Sequence, residues 1–149
     1  MPEIFRSPLA ADKETEALVV HCSAARMQPQ FHRFLQDGLQ LGRYTLIVIP
    51  GGIQSLTTLH YLPKFGWAGW RWMKFLVDLE EPPRVVLIGH DDCNWYKKVC
   101  WLNRPAALRE RILTDLRQAR AAVCERFPKA RVDAYFARLE GDTVVFETV

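Results

Sequence analysis

Three residues of this chain are of the kinds that hold a transition metal through sulfur and nitrogen: Cys22, His90 and Cys93. Zinc takes thiolate and imidazole in a tetrahedron, and a catalytic zinc keeps three protein ligands and one open position. His90 and Cys93 are separated by two residues in Gly89-His90-Asp91-Asp92-Cys93, so one tight loop can aim both at a single ion. Cys22 stands far earlier and can join them only through the fold. Each residue alone says little. A lone cysteine at a strand end is commonly a small buried hydrophobe, and His-x-x-Cys is a weak pattern by itself. What gives the three weight is where the surrounding elements put them.

Those elements alternate short β-branched runs with longer helical patterns, the signature of stacked βαβ units. Ala17-Leu18-Val19-Val20-His21 reads as a first strand, apolar on consecutive residues and so buried on both faces. Tyr44 to Ile49 is a second, stopped by Pro50-Gly51-Gly52, and Val85 to Ile88 a third, stopped by Gly89. A helix is expected over Gln30 to Leu41, with Phe31, Phe34, Leu35 and Leu39 on one face and Gly42 as its cap. Ile53 to Leu62 and Gly69 to Leu79 are further helical candidates, the second with Trp72, Met73, Leu76 and Leu79 on one side. Pro105 opens the clearest helix, where Leu108, Ile112, Leu116, Ala119, Val123 and Phe127 recur every three or four residues. Arg131 to Leu139 and Thr143 to Glu147, joined by Gly141-Asp142, form an antiparallel hairpin. The fold class is therefore α/β: a mostly parallel sheet flanked by helices, with a C-terminal antiparallel hairpin. In such a sheet ligands bind beyond the carboxyl ends of the strands. The first strand ends in His21-Cys22 and the third in Gly89-His90-Asp91-Asp92-Cys93, so both thiols and the imidazole fall at one edge.

In order and spacing the chain resembles the β-class carbonic anhydrases. That family carries a Cys-x-Asp-Ser-Arg motif after the first strand, which stands here as Cys22-Ser23-Ala24-Ala25-Arg26, and a Gly-His-x-x-Cys motif, here Gly89 to Cys93. Gly38-Leu39-Gln40-Leu41-Gly42 and Pro50-Gly51-Gly52 are similar to the segment between them. The resemblance runs from about Leu18 to the final hairpin. It implies a β-carbonic-anhydrase-like fold and a Zn2+ held by Cys22, His90 and Cys93, with water or hydroxide as fourth ligand. It further implies reversible hydration of carbon dioxide to bicarbonate, and a homodimer or higher homo-oligomer.

The chain departs from the pattern where the family's Asp orients the zinc ligand: the position is Ala24, while Arg26 is kept. Arg26 then needs another partner. Asp91 and Asp92, between two ligands, are the nearest candidates for the carboxylate's work; they could equally be solvated loop acids or caps of the helix that begins near Asn94. Arg26 could instead bind an anion, or the zinc could be structural. The remaining alternatives are hydrolysis of another small electrophile, such as carbonyl sulfide or carbon disulfide, and a non-catalytic interaction protein. A thiol-redox role ranks last, because Cys-x-x-Cys is absent.

Composition sets the outer bounds. At 149 residues, 49% hydrophobic and 25% charged, the chain suits one α/β domain over 1–149, with 1–16 as an N-terminal arm, and excludes disordered and collagen-like classes. A net charge of +3 is too small to imply a nucleic-acid partner. No apolar run reaches membrane-spanning or signal-peptide length, so a cytoplasmic address is expected. His21 should point away from Cys22 and pack, and His32 should lie on the surface; His60 and Tyr61 are possible proton carriers. Cys100 and Cys124 read as core thiols. The Trp-rich stretch Gly66 to Phe75 reads as a helix packed in the core or across a subunit interface.

Overall fold

The computed structural model describes residues 4–9, 14–57 and 63–149. Five strands form one sheet: β1 (Ala17–Cys22), β2 (Tyr44–Ile49), β3 (Arg84–His90), β4 (Arg131–Glu140) and β5 (Thr143–Thr148). Their order is β2-β1-β3-β4-β5. The first four run parallel and β5 returns antiparallel to β4. β1 is an interior strand, between β2 and β3, and is buried at all six positions, which is why its residues are apolar without alternation. β2 lies at an edge, with Leu46 and Val48 exposed.

Two unequal layers cover the sheet. On one face Leu18, Val20, Val85 and Leu87 pack against α2 (Pro63–Glu80), α3 (Asn94–Val99), α4 (Pro105–Arg126) and the 3-10 turn Gly52–Leu56. On the other, Val19, Val86 and Ile88 meet Met27, Phe31 and Leu35 from the segment around α1 (Gln28–Arg33). α4 buries Leu108, Ile112, Leu116, Ala119 and Val123, the stripe expected from its period. Among the described residues no helix is long and apolar enough to cross a membrane.

The differences from expectation are local. β3 continues past Ile88 to His90; Gly89 does not stop it. A Cβ there would stand 2.8 Å from Ile112 Cγ2, so the glycine lets α4 close on the sheet. The expected helix over Gln30 to Leu41 ends earlier: α1 opens into a π turn at Phe34–Gly38, and Gln40 rather than Gly42 takes the left-handed conformation (φ 55°). α2 begins six residues before Gly69 and turns Met73 inward, while Trp72 and Leu79 are 45% and 65% exposed, so they do not share its buried side. Of the candidate helix Ile53 to Leu62, the 3-10 turn covers the beginning, and residues 58–62, with His60 and Tyr61, lie outside the described residues. Cys124 is exposed, one step round α4 from the buried Val123, and Cys100 is only partly buried just beyond α3, so neither is a fully buried core thiol.

Candidate metal centre

β1 and β3 are neighbours, yet the chain leaves β1 toward β2 and leaves β3 toward β4. The crevice beyond their carboxyl ends is thus a topological switch point. His21 pairs with Ile88, so Cys22 stands one residue beyond that pair on β1 and His90 two residues beyond it on β3, both at that edge. The loop after His90 folds back to add Cys93. One ligand atom from each of the three lies within 4.8 Å of the others, and the two sulfurs are 3.8 Å apart. All three residues are buried. His21, by strand alternation, goes to the opposite face, where its ring packs 4.7 Å from that of Phe31. Burial lowers its pKa, so it is a packed neutral imidazole. His32 is exposed.

The donor set is prepared for a soft dication. His90 Nδ1 donates to the carbonyl of Asp91 at 2.7 Å, which fixes the tautomer and leaves the Nε2 lone pair for a ligand bond. That Nε2 is buried with no hydrogen-bond partner in the protein. The two thiols share a hydrogen bond, and this contact, against the effect of burial, holds the Cys22 pKa well below its ordinary value. The same bond, with burial, pushes Cys93 up. One proton between two sulfurs is what a bound cation would displace. Backbone N–H groups already face the sulfurs: Gly51 toward Cys22 at 3.4 Å, and Trp95 and Tyr96 toward Cys93. A cavity of about 10 Å³ adjoins the three ligands, walled by Ile53, Ile112 and Tyr96 among others, and has room for roughly one water-sized body. The residues fit zinc.

The neighbouring loops are pinned by specific contacts. Gly52, at φ 44°, passes so near β1 that a Cβ would stand 2.6 Å from the His21 carbonyl carbon. Gln28 Nε2 donates to the carbonyls of Cys22 and Ala24 at 2.9 and 3.1 Å, closing the turn after β1. Asp91 accepts a two-pronged contact from Arg109 (Nε 2.9 Å, Nη2 2.6 Å) and the Leu139 N–H at 3.0 Å. Asp92, left-handed at φ 58°, accepts from Arg26 Nη2 at 2.7 Å and from Lys97. Lys97, chiefly through that hydrogen bond, holds the Asp92 carboxyl below the usual range. α3 has Cys93 as its N-cap with no side-chain cap, so neither aspartate serves as one.

No protein-family model matches the chain, and no curated protein matches it in sequence. Solved structures do. The β-carbonic anhydrase CafA of Aspergillus fumigatus superposes with a TM-score of 0.58 at 13% identity, over 92% of this chain and 76% of that one. A structure from a study of two tetrameric β-carbonic anhydrases of Sordaria macrospora gives 0.59 at 11% identity, over 91% and 81%. CafD, a second Aspergillus fumigatus β-carbonic anhydrase, gives 0.55 at 11%, over 97% and 94%. The fold is that of the β-carbonic anhydrases.

Within this β-carbonic anhydrase fold the expected residues fall into two groups. Cys22, His90 and Cys93 converge on one point. Of the other three, Arg26 and Asp92 meet each other, whereas Asp91 does not face Arg26: its carboxylate is committed to Arg109 and the Leu139 backbone. Ala24 is half-buried against both core clusters, with no group to offer either partner. Sequence reasoning missed Arg109, Gln28, Tyr96 and the Gly51 N–H. The arginine and glutamine reach across the fold, and a backbone donor carries no residue-type signal; only Pro50-Gly51-Gly52 hinted at the close loop.

Proposed function

We propose that the chain is a zinc-dependent protein of carbonic-anhydrase type that interconverts carbon dioxide and bicarbonate. The observation that carries this reading is the convergence of Cys22, His90 and Cys93, with an unpartnered buried imidazole nitrogen, at the switch point of a β-carbonic anhydrase fold. When bound, zinc supplies acidification of a water ligand, from a pKa near 16 to about 7. The chain's residues do the rest. Two thiolates and a neutral imidazole hold the ion with no net excess charge, and the N–H groups of Gly51, Trp95 and Tyr96 support the sulfurs. Walls such as Ile53 and Ile112 suit a small uncharged gas. Arg26 receives the anionic product, and Asp92 holds the guanidinium in place from the far side of the centre, as a substitute for the carboxylate absent at Ala24. Asp91 acts as a positioning residue: through Arg109 and Leu139 it fixes the loop between two ligands.

Ala24 also favours a second reading, in which turnover is altered or lost. The pocket then serves another small electrophile, such as carbonyl sulfide or carbon disulfide, or an anion that is bound without reaction. Metal analysis should give about one zinc per chain, with Cys22→Ser losing it; a folded protein that takes up no zinc ends both readings. Stopped-flow hydration of carbon dioxide, run against Cys22→Ser, separates them. If hydration is undetectable, recovery in Ala24→Asp supports the first reading, and no recovery supports the second. The reading includes a homo-oligomer, supported by exposed Leu46, Val48, Trp72 and Phe75 beside the free edge of β2 and by the tetrameric Sordaria neighbours. Thiol ligands suit a reducing compartment such as the cytoplasm.

A further inference from the structure

Gln54 is 0% exposed, and both polar atoms of its side chain are engaged by other elements. Its Oε1 accepts from Trp95 Nε1 on α3 at 2.6 Å. Its Nε2 donates to Asp115 Oδ2 on α4 at 3.3 Å and to the Cys100 sulfur, just past α3, at 3.2 Å. Asp115 is 2% exposed and accepts in turn from Arg111 Nε at 2.9 Å. Reversing the amide would set its NH2 against the indole N–H and its oxygen against the carboxylate, so these partners dictate its orientation. Gln54 belongs to the 3-10 turn Gly52–Leu56, and its backbone N–H donates to the Gly51 carbonyl at 3.1 Å. The Trp95 ring closes on the same glycine, where a Cβ would overlap it. Gly51 is the residue whose N–H lies 3.4 Å from the Cys22 sulfur, and Trp95 stands two residues after Cys93. One buried amide thus links the backbone beside one sulfur to the helix that starts at the other.

We propose that Gln54 is a positioning residue of the metal centre, which clasps the Gly51 turn to α3 and so holds the Gly51 N–H on the Cys22 sulfur. The proposal rests on the metal reading above. It adds a control on how strongly Cys22 donates, because an N–H held on a thiolate draws electron density from the sulfur and weakens it as a donor. Gln54 acts through Gly51 and Trp95, and Asp115 anchors its amide from α4.

The test uses the full chain loaded with cobalt(II), whose sulfur-to-metal charge-transfer bands report thiolate donation without any turnover. Trp95→Phe leaves an aromatic ring against Gly51 and removes the indole N–H, while Gln54→Met removes the amide at similar length. In each, the charge-transfer band should move to longer wavelength and cobalt affinity should fall by roughly 10-fold, the lower end for a group that supports a ligand. Thr57→Val is the comparison, since its hydroxyl donates to the Gln54 carbonyl at 2.8 Å within the same turn and forms no part of the clasp. It should lower the melting temperature and leave band and affinity at their wild-type values, which separates positioning from support of the turn. Trp95→Phe decides if Gln54→Met does not fold or the two disagree. An unchanged band and affinity in Trp95→Phe, or an equal change in Thr57→Val, overturns the proposal while leaving the metal reading standing. Failure of the unaltered protein to bind cobalt removes both.

Discussion

The contact whose loss should reach the centre most directly is the one between Arg109 and Asp91. The Asp91 side chain is 10% exposed and accepts three N–H donors, two of them from Arg109. Arg109→Ala leaves a nearly buried carboxylate with the Leu139 N–H alone. Breaking a fully buried pair costs about 3–5 kcal/mol, whereas an exposed pair is worth about 0–1 kcal/mol. Arg109 is 43% exposed, so water re-enters where it leaves, and the loss falls between, at roughly 2 kcal/mol. For a chain of this length that lowers the melting temperature by roughly 4–8 °C. The effect continues inward, because the Asp91 carbonyl accepts the Nδ1 proton of His90 and Asp91 lies between two ligands. Loosening such a supporting contact typically costs about 10- to 100-fold in metal affinity. The assay is a thermal melt in chelator, followed by zinc competition against a calibrated chelator. Arg109→Lys keeps the charge but loses the fork, and should fall between wild type and the alanine variant. A melting temperature and a zinc affinity both unchanged in Arg109→Ala would refute the idea that this contact braces the ligand loop.

Three further outcomes follow from the same geometry. Gly52→Ala forces a side chain into the His21 carbonyl carbon and into a φ that costs about 1–3 kcal/mol, and should lower zinc affinity by displacing the Gly51 N–H from Cys22; chelator competition reads it. Thr45 and Thr15 both donate to Glu80 and hold its carboxyl below its ordinary value, so their contribution is present above the unfolded pKa and lost as pH falls through the lower folded one. Thr45→Val should therefore cost up to about 1 kcal/mol in denaturant melts at pH 7 and progressively less below about pH 4; an equal gap at both would refute it. Val48→Lys on the exposed edge of β2 should lower the oligomeric state measured by light scattering, while far-UV circular dichroism stays unchanged.

What could be read from the sequence was whatever depends on local periodicity. The bounds of β2 and the buried stripe of α4 follow from spacing alone, and Cys22, His90 and Cys93 could be grouped because the first two end strands and the third lies in the loop just after one. The π turn at Phe34–Gly38 left the apolar spacing of α1 intact while shortening the helix, so periodicity could not reveal it. α2 misled for another reason: its outward Trp72 and Leu79 are as apolar as its buried Met73, and hydropathy does not say which side meets the sheet. Arg26 with Asp92 and Arg109 with Asp91 are pairs between separate elements. Only the fold decides which of two adjacent aspartates turns to which arginine.

That choice changes the charge around the centre. Arg26 and Asp92 are 57% and 40% exposed, so their ion pair contributes little to stability, at most about 1 kcal/mol. Its consequence lies in the field. Asp91 is neutralised by Arg109, and Asp92 is shared by Arg26 and Lys97, which leaves one positive charge in excess among these five groups and the loop that carries them. A centre of two thiolates and a dication adds no net charge of its own. With no carboxylate at position 24, this excess would, on the function proposed above, make the rim attractive to an anion such as bicarbonate. Lys97→Gln should remove that excess. The slope of bicarbonate affinity against ionic strength in the cobalt-loaded protein should flatten in this variant, since screening acts on exposed charges over about 10 Å at 0.1 M salt. If the slope is the same with and without Lys97, the anion is held by direct contact with Arg26 and the surrounding field plays no part.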